Sequence, residues 1–370
     1  MNAVELTREL VRIDTVNPVS PERPCAERLG RLLEDAGFAV RLHEFAPGRA
    51  SVVARRDGGG TPFCFAGHID TVPLGAAPWK HQPFGGEIDA GKLYGRGSSD
   101  MKSGVAAMVC AALELGRTPL RKAGLTLLLV AGEETGCEGA LHLARSEGAL
   151  GKASAMVVGE PTGNVPVIGH KGALWLRART RGVTAHGSMP SMGVNAVVKA
   201  ARAVLALDAF RFDVKPDPLL GEPTLNIGLI QGGMNVNSVP DEAVIGIDMR
   251  TIPAQGHAAL RARLQELLGD EVELSSIVDL PGVRTREDDP FVRSITEIVA
   301  RITGEPAVTG TATYFTDASV LTPAFGGIPT VVLGPGEMAL CHQTDEHCRV
   351  ERIEQAAAAY VEIARERCGA

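Results

Sequence analysis

Residues 125–134 read LTLLLVAGEE: a short apolar run, a glycine at 132, then two adjacent carboxylates, Glu133 and Glu134. The run is too short for a typical helix, and its near-continuous apolarity fits a strand buried on both faces. Three other stretches share this form. PFCFAG (62–67) is followed by His68 and Asp70, SAMVVG (154–159) by Glu160, and PTVVLG (329–334), a few residues on, by His342. Amphipathic or Ala-rich helices are expected around 3–14, 24–37, 101–116 and 350–367. Buried strands alternating with helices predict an α/β fold, a sheet with helices on both faces. In such sheets ligands bind beyond the carboxyl ends of the strands, so these polar residues should converge on one edge.

Residues 171–280 have a different texture. ALWLRART (173–180) alternates apolar with polar residues, and VNAVVKAARAVLAL (194–207) is helical. TLNIGLIQG (224–232) and EAVIGIDMR (242–250) are strand-like, HAALRARLQELL (257–268) is helical, and VELSSIVDL (272–280) is a strand again. The order β-α-β-β-α-β is that of a ferredoxin-like α+β unit. It is expected as an insertion (171–280) that interrupts a larger domain made of 1–170 and 281–370.

Composition narrows the function classes. The 370 residues carry 37 basic and 44 acidic side chains, net −7, with no basic block that could track a phosphate backbone. A nucleic-acid partner is not expected. No segment resembles a membrane span, and MNAVELTREL is unlike a signal peptide. Seven cysteines without a C-x-x-C pair fit reduced thiols, and hence a cytoplasmic protein. The 43 glycines exceed the usual share of roughly 7%. Many of them flank the polar residues named above.

The glycine-rich stretch YGRGSSDMKSG (94–104) invites a phosphate reading, which fails letter by letter. A P-loop counted from Gly95 needs glycine and lysine where Asp100 and Met101 stand, and a dinucleotide fingerprint needs glycine at Asp100. A carboxylate there suits a cation. Asp100 also stands where the N-cap of the next helix is expected. With His68, Glu134, Glu160 and His342 it completes a set of two imidazoles and three carboxylates. That chemistry suits zinc, or cobalt or manganese, at an open site. Five ligands exceed the needs of one catalytic ion, whereas two ions roughly 3.5–4 Å apart, sharing one carboxylate, use them well.

Taken in order, GHIDTVP, GRGSSDMKSG, GEET, GEPT and GPGEMALCHQTDE resemble the signatures of the dinuclear zinc peptidase and deacylase family. That family includes acetylornithine deacetylase, succinyl-diaminopimelate desuccinylase, aminoacylase and carboxypeptidase G, and the resemblance spans nearly the whole chain. It implies one zinc on His68, Asp100 and Glu160, and a second on Asp100, Glu134 and His342. Glu133 matches the general base, and Asp70 the residue that orients His68. His186, in GVTAHGSMPSMGVNA, matches a histidine of the inserted lid that donates to the oxyanion in the partner subunit of a homodimer. Arg250 and Asn237 match residues that bind substrate. His43, His81, His142, His170, His257, His347 and Trp175 read as structural or surface residues.

GEPT followed by GHKG, together with HQTDE, looks most like the acetylornithine deacetylase branch. The expected reaction is removal of an acyl group, acetyl first, from a small N-acyl amino acid. Desuccinylases carry an arginine after the aspartate matched by Asp317, and TYFTDAS (313–319) lacks it, so succinyl substrates rank second. A dipeptidase or carboxypeptidase is the other enzymatic alternative, and a non-catalytic binding protein on the same fold is a remote one.

Overall fold

In the computed structural model, which describes residues 2–116, 118–306 and 308–370, the four apolar runs are strands: Phe63–His68, Leu125–Val130, Ala155–Val158 and Thr330–Val332. Every residue of the four is buried. They lie side by side in the order Leu125–Val130, Phe63–His68, Ala155–Val158, Thr330–Val332, all parallel, so their carboxyl ends share one edge.

The chain divides into two compact units. The first comprises Met1–Gly169, Arg284–Thr311 and Thr316–Ala370, and contains these strands. Phe63, Phe65, Leu127, Leu129, Val157 and Val331 point into one core with the helices Ala3–Val11, Arg23–Asp35, Lys102–Leu115, Pro290–Thr303 and Val350–Cys368. Burial of each large apolar side chain stabilises by about 1.5–3 kcal/mol. The alternate residues Cys64, Ala66, Leu128 and Met156 are equally buried on the other side. There the helix Glu138–Arg145 packs against the helix Ala318–Ala324 and an antiparallel hairpin.

That hairpin, Ala39–Ala46 with Arg49–Arg56, extends the sheet antiparallel to Leu125–Val130. Its first strand is largely exposed and interleaved with charge, which removes the apolar signal a sequence reading relies on. The first helix ends at Val11, short of the expected 14, because Thr15 and Asn17 bond to the 69–71 segment instead. The second ends at Asp35, with Gly37 beyond its cap at φ +86°.

Small residues let the helix Lys102–Leu115 lie close to the strand ends. A Cβ on Gly104 would fall 2.1 Å from the carbonyl oxygen of Gly159. The fully buried Lys102 turns back to the first helix and donates to the carbonyls of Leu10 (3.0 Å) and Ile13 (2.8 Å). It thereby satisfies acceptors that the helix end leaves open. Asp100 is not the N-cap expected from the sequence. The cap position is Met101, without a side-chain bond, because the Asp100 carboxylate is drawn to two imidazoles.

A second, three-stranded sheet joins His347–Arg349 to Lys92–Tyr94 and Glu87–Asp89. His347 pairs with Tyr94, so the loop that carries Asp100 and the loop that carries His342 lie side by side.

The second unit, His170–Val283 with Ala312–Phe315, is a four-stranded antiparallel sheet in the order 224–232, 242–251, 172–181, 272–280. The helices Ala196–Asp208 and His257–Leu268 cover one face, burying Leu174, Leu176, Leu207, Ile245, Ile247 and Leu264. This is the ferredoxin-like arrangement. Among the described residues no helix is long and apolar enough to cross a membrane.

Candidate metal centre

His68 ends its strand opposite Val130, and Ala66 pairs with Val158. This register brings His68, the Glu133–Glu134 pair and Glu160 to one edge. The small second sheet delivers Asp100 and His342 to the same place. His68 Nε2 lies 3.1 Å from Asp100 Oδ1 and 3.7 Å from Glu160 Oε2. His342 Nε2 lies 3.2 Å from Glu134 and 3.5 Å from Asp100 Oδ2. The two oxygens of Asp100 thus serve different imidazoles. Ligand atoms of His68, Asp100 and Glu134 all fall within 4.8 Å of one another. His342 is exposed and sits in the left-handed region at φ +62°, a strained conformation that nothing in its local sequence announces.

His68 Nδ1 lies 3.0 Å from the main-chain carbonyl of Asp70, an acceptor, so this nitrogen carries a proton and Nε2 faces the carboxylates. The Asp70 carboxylate stands slightly farther from the ring, Oδ1 at 3.5 Å. Most of its capacity goes to the next loop: the N–H of Glu133 donates to Oδ1 (3.1 Å) and that of Glu134 to Oδ2 (3.1 Å).

Two supports went unnoticed in the sequence. Asn17 donates through Nδ2 to Asp70, and Arg49 in turn donates to Asn17 Oδ1 (2.7 Å). Glu346, fully buried, pairs with the buried Arg96 at 2.6 Å and accepts the N–H groups of Gly97 (3.1 Å), Ser99 (2.8 Å) and Asp100 (3.0 Å). HQTDE contains Glu346, but only the long-range pairing reveals its partners.

The site concentrates negative charge away from water. Burial raises Glu133 well above the usual carboxylate range, and the neighbouring Glu160 adds to it. Burial lifts Glu160 to about 8 and Asp317 to about 7. Burial opposes a charge on His68, but Glu160, Asp100 and Asp70 outweigh it and raise the ring well above its ordinary value. Hydrogen bonds to Asp100 and Glu134 lift His342 to about 10. Burial would raise Asp100, yet its bonds to the two histidines hold it low. Glu160 Oε1 is buried without a hydrogen-bond partner. A cluster of crowded carboxylates, two imidazole nitrogens turned inward and an orphaned carboxylate oxygen fits divalent cations.

The second unit carries the other three predicted residues. His186 and Asn237 lie on adjacent segments: the N–H of Gly187 donates to the Asn237 carbonyl (2.7 Å), and His186 bridges to Ser238. The N–H of Ser188 donates to His186 Nδ1 (3.2 Å), which leaves the proton of the neutral ring on Nε2. Arg250 pairs with Asp248 at 3.1 Å and lies over Trp175, 5.7 Å from the ring centroid. Trp175 also meets Phe315 edge-on. His257 is a buried tie between Thr251 (2.7 Å) and Asp279 (2.6 Å).

Comparison with known proteins agrees with this geometry. The profile of peptidase family M20/M25/M40 matches residues 64–366. A probable succinyl-diaminopimelate desuccinylase of Staphylococcus epidermidis is 32% identical over 378 residues, 94% of this chain and 93% of its own length. An acetylornithine deacetylase of Myxococcus xanthus is 32% identical over 381 residues, covering 98% and 96%. The M20 family metallo-carboxypeptidase of Sulfolobus solfataricus shares the fold, with a TM-score of 0.82 at 19% identity and full coverage of both chains. The chain therefore belongs to peptidase family M20/M25/M40, hydrolases that include both deacylases and peptidases.

Proposed function

We propose that the protein removes an acyl group, acetyl first, from a small N-acyl amino acid, using two divalent cations, zinc before cobalt. The observation that carries the reading is the Asp100 carboxylate, whose oxygens face His68 on one side and His342 on the other. His68, Asp100 and Glu160 would hold one ion, and Asp100, Glu134 and His342 the second. Bound there, two such ions supply positive charge that acidifies an attacking water and polarises the amide carbonyl.

The remaining roles fall to the chain itself. Glu133, whose proton affinity is raised by burial and by the neighbouring Glu160, takes the proton from the water and passes it to the leaving nitrogen. In a homodimer, His186 of one subunit would present Nε2–H to the developing oxyanion in the site of the other. Arg250, oriented by Asp248 and Trp175, receives the substrate carboxylate, and Asn237 sits beside His186 as a polar contact.

The second unit supports a homodimer through 171–280. Its edge strand Thr224–Gly232 leaves Leu229 and Ile230 half exposed, Leu205 on the helix Ala196–Asp208 is 71% exposed, and Met234 and Val236 are fully open. Seven free cysteines support a cytoplasmic setting. A succinyl substrate is the second reading, favoured by the desuccinylase relative and opposed by the missing arginine after Asp317. The test is a screen of acetyl, succinyl and formyl amino acids with dipeptides, with added zinc or cobalt. Fastest release of acetate is expected, and cleavage of dipeptides alone would replace this reading with a peptidase.

A further inference from the structure

We infer that Asn17, locked by Arg49, is a positioning residue for the metal centre, acting through Asp70; this rests on the two-cation reading above. Arg49 can only donate, so its bond to Asn17 (2.7 Å) fixes the amide with Oδ1 toward the guanidinium and Nδ2 toward Asp70. Arg49 cannot drift, because it also binds Glu22 (2.9 Å) and Glu138 (2.6 Å). Glu138 opens the helix that follows the Glu133–Glu134 loop, and it accepts the Thr135 hydroxyl from that loop (2.6 Å).

Asp70 is fully buried and collects the result. Its Oδ2 receives Asn17 and the N–H of Glu134, while Oδ1 receives the N–H of Glu133 and faces the His68 ring. One carboxylate therefore sets three things: the backbone under the proposed base, the backbone under one proposed ligand, and the surroundings of another. Without Asn17, Oδ2 loses its side-chain donor. Asp70 is then free to rotate away from the two N–H groups, and His68 and the 133–134 loop lose their common anchor. Groups that orient metal-binding side chains typically matter about 10- to 100-fold in metal affinity.

The test uses zinc-loaded full-length protein, with metal release to excess chromogenic chelator followed over time, and kcat and KM measured on the best acyl amino acid. Asn17→Asp is the decisive variant. It conserves volume and the contact with Arg49 but turns an acceptor toward Asp70. Release about tenfold faster or more, with kcat reduced and KM nearly unchanged, is expected for it and for Asn17→Ala. A folded Asn17→Asp protein that releases metal and turns over like wild type overturns the proposal, since Asn17 would then be mere packing. If that variant does not fold, Arg49→Met, which frees the amide to flip, should show the same effect more weakly, and wild-type behaviour there overturns it equally. Wild-type protein that retains no zinc would sink the two-cation reading itself, whereas zinc retention with indifferent variants would sink only the role of Asn17.

Discussion

Glu346 Oε1 accepts the backbone N–H of Asp100 at 3.0 Å, fixing from behind the residue whose carboxylate lies between the two imidazoles. Its other oxygen pairs with Arg96, which is only 1% exposed. Removing one partner of a buried pair leaves an uncompensated charge and costs about 3–5 kcal/mol. Glu346→Gln should lower the urea midpoint accordingly and reduce zinc content. An unchanged midpoint would contradict this account of the loop.

The Glu133 carboxylate is not one of the five candidate ligands, and its backbone N–H bond to Asp70 survives truncation to Ala. Glu133→Ala should keep about two metal ions per chain by elemental analysis, yet lose kcat by on the order of 10²–10⁴. An active variant would remove Glu133 from its role.

Gly104 and Gly159 touch backbone to backbone immediately before Glu160. Gly104→Ala would place Cβ 2.1 Å from the Gly159 carbonyl oxygen, so the strand end must shift. Overpacking of this kind costs about 1–3 kcal/mol. Thermal unfolding should fall by several degrees, and activity should fall with it because Glu160 moves; wild-type values for both would refute the contact.

Asp317 gives a pH signature in metal-free protein. Burial raises it to about 7 in the folded state, against 3.8 ordinarily, so its contribution to stability is intact below 3.8 and is lost as pH rises through 7. Asp317→Asn escapes that loss. Its Tm should exceed that of wild type at pH 8, and the two should converge near pH 4; a gap of the same size at both pH values would exclude titration of Asp317 as the cause.

If His186 serves the neighbouring subunit, inactive His186→Ala and Glu133→Ala chains should regain partial activity when mixed, because half of the sites in each mixed dimer are complete. Mixed dimers confirmed by mass spectrometry but inactive would place His186 in its own subunit's site or outside the chemistry.

The four central strands were legible because burial on both faces leaves an unbroken apolar run, and a run followed by His or Glu needs no partner to be seen. The hairpin at 39–56 was not legible, since its first strand is exposed and charged. Asp100 was misread as a helix cap because an aspartate before a helix has the same local signature whether it bonds to the helix or to a distant histidine. Asn17, Arg49 and Glu346 escaped notice for a related reason. Their partners lie far along the chain, 53 residues for Asn17 with Asp70 and 246 for Glu346 with Asp100. The three short strands 87–89, 92–94 and 347–349 carry too few residues to show a period.

The spread of the centre along the chain sets an order of events during synthesis. A nascent chain that has emerged as far as Glu160 carries His68, Asp100 and Glu134 but lacks His342, the Thr330–Val332 strand and Glu346. It lacks His342, the second imidazole of the centre, and Glu346, the anchor of the 95–100 loop. Domains form as translation proceeds, yet this one closes only after residues 342–346 have emerged, and the interrupting unit is complete before its host. The full set of candidate ligands is therefore assembled only after the insert, and a chain stopped shortly before residue 342 would display a folded insert beside an unfinished hydrolase.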